Sequence, residues 1–151
     1  MVHVLNGDLF EAPVDLLVCP VNTKGVMGNG IALAFRYKWP NVYKTYRETC
    51  FAGKLKVGEL LIVDHVICLP VKEHFWNPSK LEWVEAGLKA LALFLETEKI
   101  ESVGLPAIGQ GYGLLDPDDV FVLIDKYLEP LDTEVYYFEK WTRKNQKKRG
   151  A

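Results

Sequence analysis

The 151 residues carry 18 Lys and Arg against 20 Asp and Glu, a formal charge of −2, and 49% of them are apolar. That length suits one compact domain whose core needs no disulfide staples. No apolar run reaches the ~18 residues of a membrane span, no secretory signal opens the chain, and Cys19, Cys50 and Cys68 do not stand at metal-ligand spacing. The expected state is therefore a cytoplasmic monomer with reduced thiols, no membrane contact, no metal and no cofactor.

The chain opens on a short apolar strand, Val2–Leu5, broken by Asn6-Gly7-Asp8. Asp15–Val21 is an apolar run too short for a helix and predicts a buried strand. A glycine-rich loop, Gly25–Gly30, leads into a helix from Ile31 to Trp39, with Ile31, Ala34 and Phe35 on one face. Pro40 suits the first turn of a second helix, along which Val42, Tyr46 and Cys50 recur every four residues until Gly53. Glu59–Val63 and Val66–Val71 flank Asp64-His65 and predict a hairpin. Ser79-Lys80-Leu81-Glu82 has the form of a capping box, ahead of a long helix with Leu81, Val84, Leu88, Leu91 and Leu95 on one face. Ser102–Ile108 is a further strand. Asp116-Pro117 supplies an N-cap and a first-turn proline for a last helix, and Thr133–Phe138 closes the chain as a strand. Helices separate most strands, so the expected fold class is α/β, with a mixed sheet covered on both faces.

After residue 139 the composition changes. Lys140, Arg143, Lys144, Lys147, Lys148 and Arg149 stand without an acid among them. Residues 140–151 are expected to form a solvated basic tail, with nucleic-acid contact as the functional alternative.

Two glycine loops each join a strand to a helix: Gly25-Val26-Met27-Gly28-Asn29-Gly30 and Gly109-Gln110-Gly111-Tyr112-Gly113. Glycine lets the backbone approach a ligand closely. N–H groups at a helix start lack intrahelical partners and favour phosphate. Two such loops at neighbouring strand ends clamp a pyrophosphate from both sides. Neither matches the P-loop or dinucleotide-binding spacing.

These loops, with Gly7-Asp8-Leu9-Phe10 and the string Val21-Asn22-Thr23-Lys24-Gly25-Val26-Met27-Gly28-Asn29-Gly30-Ile31-Ala32, resemble a macro domain. The resemblance spans residues 1 to 139. Within the family it is similar to the branch of the DarG antitoxin and the terminal ADP-ribose glycohydrolase, as is Leu69-Pro70-Val71-Lys72-Glu73-His74-Phe75-Trp76. It implies a three-layer α/β/α sandwich with a mixed central sheet, and ADP-ribose as ligand. Carried onto this chain, Asp8 accepts from the adenine amino group, Leu9 offers its backbone N–H, and Asn22 binds the distal ribose. Phe138 or Tyr137 packs near the adenine. Gly25, Val26, Met27, Gly28, Gly30 and Ile31 hold the phosphates from one side. Gly109, Gln110, Gly111, Tyr112 and Gly113 hold them from the other.

The same resemblance implies removal of mono-ADP-ribose from a macromolecule, with ADP-ribosylated DNA the favoured substrate. The alternatives are a non-catalytic reader and a hydrolase of protein-linked ADP-ribose or O-acetyl-ADP-ribose. The glycosidic bond at C1 of the distal ribose breaks with oxocarbenium character. Lys72 is the catalytic candidate, as a neutral amine attacking C1 or as an ammonium stabilising the leaving group. His74 and Asp116 are secondary acid–base candidates, with an N-cap the expected role of Asp116. Lys24 adds positive potential near the first loop. Phe75 and Trp76, with the nearby lysines, suit either a single nucleic-acid strand or local packing. The second loop departs from the family pattern at Gln110, Leu114 and Pro117, where substrate choice is expected to be set.

Overall fold

The computed structural model describes residues 1–110 and 113–140. The strands are β1 (Val2–Leu5), β2 (Leu16–Asn22), β3 (Leu61–Val63), β4 (Val66–Lys72), β5 (Ser102–Pro106) and β6 (Glu134–Phe138). The helices are α1 (Gly30–Lys38), α2 (Pro40–Phe51), α3 (Leu81–Thr97) and α4 (Pro117–Leu128), with a short 3-10 turn at Leu9–Glu11. The sheet order is β1-β6-β5-β2-β4-β3. Every neighbouring pair is parallel except β3–β4, the hairpin expected around Asp64-His65. Asp64 takes φ 53°, a left-handed conformation that Asp tolerates better than most side chains.

Alternation along the strands builds two cores. Leu17, Cys19 and Val21 of β2, with Val66 and Cys68 of β4, face α1 and α2, where Phe35, Val42, Tyr46 and Cys50 complete one apolar layer. Val18 of β2 and Ile67, Leu69 and Val71 of β4 face the opposite way, onto Val84, Leu88, Leu91 and Leu95 of α3 and Val120 and Ile124 of α4. The period of two along each strand and of 3.6 along each helix thus gives the sandwich its three layers. Cys19, Cys50 and Cys68 are buried free thiols. Burial pushes the Cys68 thiol up to about 12, so it behaves as a small apolar group. Among the described residues no helix is long and apolar enough to cross a membrane.

One local expectation fails. Ser79 and Glu82 do not form a capping box: α3 starts at Leu81, with Lys80 as an N-cap that makes no side-chain bond. The Ser79 hydroxyl instead donates to the carbonyl of Val71. Ser79 is 6% exposed, and the chain folds back there over the end of β4. This buried pairing takes the hydroxyl that the solvated cap would have used. By contrast, Asp116 caps α4 as expected, accepting from the Asp118 N–H at 2.8 Å.

Candidate functional site

The C-terminal ends of four parallel strands meet at one rim. Asn22 ends β2, Lys72 ends β4, Ala107 follows β5 and Glu139 follows β6, and all four line a cavity of about 550 Å3. The crevice beyond the carboxyl ends of parallel strands is where open α/β sheets hold ligands. Residues Gly28, Asn29, Gly30 and Ile31 of the first loop border it, as do Gly109, Gln110 and Gly113 of the second. The loops follow β2 and β5, which are neighbours in the sheet, so the sequence expectation of facing loops holds. Asn29 makes no side-chain cap. The first-turn amides of α1, at the mouth of the cavity, therefore carry the partial positive charge that attracts anions.

Asn22 organises the first loop. Its Nδ2 donates to the Val26 carbonyl at 2.7 Å, and its Oδ1 accepts from the N–H of Lys24 at 2.9 Å and of Val26 at 3.3 Å. The Tyr46 hydroxyl reaches up from α2 to the same Oδ1 at 2.9 Å and to the Asn22 carbonyl at 2.7 Å. Tyr46 is fully buried, and burial drives its hydroxyl far above the usual range, so it stays a donor. Met27, also fully buried, anchors the loop from below. Gly25 takes φ +82°, and a Cβ there would come within 3.3 Å of Phe51 and 3.5 Å of Arg47. These two residues shape the loop from behind. Val26, Gly28, Gly30 and Ile31 present it to the cavity.

Lys72 stands beside Asn22. A register shift between Val21 and Asn22 pairs Asn22 with Lys72 across β2 and β4. The Lys72 Nζ donates to the Phe75 carbonyl at 2.9 Å, and partial burial pulls its pKa below the usual lysine range. The segment carrying it is tied down at both ends. The Thr23 N–H and hydroxyl both bond the Glu73 carbonyl at 3.2 Å, and the Ser79 N–H bonds the Gly113 carbonyl at 2.9 Å. The lysine is thereby fixed relative to both loops.

The second loop turns at Gly109, where φ is +69° and an added Cβ would lie 2.7 Å from Leu115 and 2.8 Å from Val84. Gly109→Ala is expected to cost about 1–3 kcal/mol through crowding and left-handed strain, measured as a lower urea midpoint with unchanged slope. Gln110 lines the cavity and donates to the Tyr137 hydroxyl at 3.2 Å. Leu114 adopts φ 63° and is 73% exposed. It thus holds a left-handed backbone conformation that a glycine takes without strain. Gly111 and Tyr112 lie outside the described residues, as does the basic tail beyond Lys140.

Several expected ligand residues stand outside the cavity lining. Asp8 accepts from the Phe10 N–H at 3.0 Å as the N-cap of the 3-10 turn. Leu9 and Phe138 are buried in the core facing α1 and α2, at 1% and 7% exposure. Tyr137 packs in the opposite core. His74 stacks on Trp76 with ring centroids 4.5 Å apart and does not line the cavity. Residues that the sequence did not mark for ADP-ribose do line it: Pro20, Asn29, Ala107 and Glu139, with Phe75 and Lys140, which the sequence offers only for nucleic-acid contact. The signal for Ala107 and Glu139 was their position one residue past a parallel strand.

Together, the parallel-strand rim, two glycine loops and an uncapped helix start define an α/β protein with an anion-binding cleft. The chain belongs to the macro domain family, whose model matches residues 18–124. The DNA ADP-ribosyl glycohydrolase of Thermus aquaticus is 36% identical over 148 residues, covering 92% of this chain and 41% of that protein. That of Mycobacterium tuberculosis is 36% identical over 147 residues, covering 90% and 42%. The chain thus spans about two-fifths of the length of these relatives. The macrodomain of Thermus aquaticus DarG superposes with a TM-score of 0.88 at 36% identity, covering 93% of this chain and 99% of that one. Thermosipho africanus DarTG in complex with ADP-ribose superposes at 0.85 and 29% identity, covering 96% and 44%.

Proposed function

We propose that this chain binds ADP-ribose in the cavity between its two loops and hydrolyses the bond joining it to a DNA nucleotide. The pairing of Asn22 with Lys72 at adjacent strand ends carries this reading. In it the pyrophosphate lies against the amides of the first loop and of the α1 start. The distal ribose then sits at the Asn22–Lys72 end. Asn22 uses its oxygen and one amide hydrogen within the loop, so it shapes the ribose subsite and offers its second amide hydrogen to it. Asp8, with Leu9 and Phe138, is assigned to the adenine end.

Lys72 acts at C1 of that ribose. Its depressed pKa raises the fraction of neutral amine near neutral pH, and the Phe75 carbonyl restricts where Nζ sits. Attack by the amine on C1 expels the base nitrogen, which takes a proton. Water then displaces the lysine and completes hydrolysis. The similarity to proteins named for DNA ADP-ribosyl glycohydrolysis supports DNA over protein as the carrier.

The deciding experiment offers the chain an ADP-ribosylated DNA strand and a protein ADP-ribosylated on Glu. Release of free ADP-ribose from the DNA alone is expected. Release from protein alone would move the substrate class, and binding without release from either would make the domain a reader.

A further inference from the structure

A second cavity, of about 590 Å3, lies behind the first loop. Thr23, Lys24, Cys50, Phe51, Leu55, Lys56, Glu73 and Trp83 account for most of its wall. It is back to back with the ligand cavity. Asn22 faces one and Lys24 the other; Lys72 faces one and Glu73 the other. The segments that separate them are joined by the Thr23 bonds to the Glu73 carbonyl.

The chemistry of its wall is cationic and aromatic. Lys24 and Lys56 line it, and Glu73 is the one carboxylate among the lining residues. Arg47 lies over the Phe51 ring at 4.6 Å, and Lys80 over the Trp83 ring at 4.8 Å. Among the described residues none of these four cations forms an ion pair. The carbonyls of Glu48, Cys50 and Thr49 at the end of α2 are bonded by the N–H groups of Ala52, Gly53 and Lys54. Phe51 is 66% exposed, with the Arg47 guanidinium over its ring. Cations interleaved with aromatic rings are a means by which proteins hold single strands without reading their sequence.

We propose that this second cavity holds the single-stranded polynucleotide that flanks the ADP-ribosylated residue. Phosphates contact Lys24, Lys56 and Arg47, and a base stacks on Phe51. The proposal rests on the DNA-linked reading of the first cavity, yet it is separable from it, because strand binding requires no cleavage.

The test uses the full chain and a labelled, unmodified single-stranded DNA of eight nucleotides, read by fluorescence anisotropy across a salt series. Arg47→Glu with Lys56→Glu is expected to weaken binding at least tenfold. The slope of log affinity against log salt should shrink by roughly 1.4, at about 0.7 per lost cation on a single strand. Phe51→Ala is expected to weaken binding about tenfold, the scale of one lost stacking contact. Arg47 and Phe51 pack behind Gly25, so the control is Lys56→Glu alone, which keeps wild-type affinity for free ADP-ribose by calorimetry and still weakens strand binding. The Lys72→Ala variant keeps strand binding, which separates this proposal from the catalytic one. Undiminished strand affinity in both groove variants would overturn it. So would loss of binding only when Lys147, Lys148 and Arg149 are neutralised, which would put the strand on the tail. Equal competition by an acidic peptide of matched charge would overturn the polynucleotide assignment.

Discussion

Replacing Lys72 by Ala is expected to lower release of ADP-ribose from ADP-ribosylated DNA by at least about 100-fold, the lower range for removing a positioned catalytic side chain. ADP-ribose affinity should change little. The phosphate and loop contacts do not involve Nζ, whose hydrogen bond runs to its own loop at Phe75. Lys72→Arg separates the two forms the side chain can take. An arginine keeps the positive charge but cannot lose its proton in the working range, so it cannot act as a nucleophile. Partial burial lowers the Lys72 pKa and so moves it toward the amine; with the amine as the proposed nucleophile, Lys72→Arg is expected to be as inactive as Lys72→Ala. The pH dependence has the same origin. Below the lysine's lowered pKa the group is an ammonium with no lone pair to offer. The rate should rise with pH as that proton is lost, and level off above it. Single-turnover release measured across pH checks the sign. A rate that falls with rising pH, or an active Lys72→Arg, would assign the charged form instead.

The sequence carried the elements further than it carried their arrangement. Apolar spacing marked all four helices and the strands, because burial on one face imposes a period that residues must obey. The order of the strands had no such local signature. It depends on pairings between distant segments, such as β1 beside β6 across more than 130 residues of chain. The glycine loops were legible because left-handed backbone and close approach leave few alternatives to glycine. Which loop residues point at the ligand was less so. Gly25 and Met27 belong to the same string as Gly28 and Gly30, yet one packs on α2 and the other fills the core. Ser79 shows the converse failure. Its spacing to Glu82 fits a cap perfectly well, but a buried carbonyl eight residues back makes the better acceptor. Local motifs rank only local partners, and the fold supplies others.

Asn22→Ala should have the largest structural effect among the cavity residues. The side chain is 5% exposed and holds four hydrogen bonds through two atoms. Truncation strips the N–H of Lys24 and of Val26 and the carbonyl of Val26 of their partner in a poorly solvated place. Each stranded group costs about 1–3 kcal/mol, although water entering through the open cavity offsets part of that. A net loss of about 3–5 kcal/mol is expected, a large share of the stability of a domain this size. Tyr46→Phe should cost less, about 1–2 kcal/mol, because Oδ1 keeps the N–H donors of Lys24 and Val26. The two changes should not add, because they share a bond. Asn22→Asp is the sharper test. It preserves the acceptor for Lys24, Val26 and Tyr46 but turns the Nδ2 donor into an oxygen facing the Val26 carbonyl. It also adds a negative charge at the base of the loop against which the pyrophosphate is proposed to lie. Its folding should therefore survive better than that of Asn22→Ala, while ADP-ribose affinity falls at least as far. Urea unfolding and calorimetry on the same three proteins measure both. If Asn22→Asp bound ADP-ribose as well as the parent, the loop would not be the phosphate cradle, however well it folds.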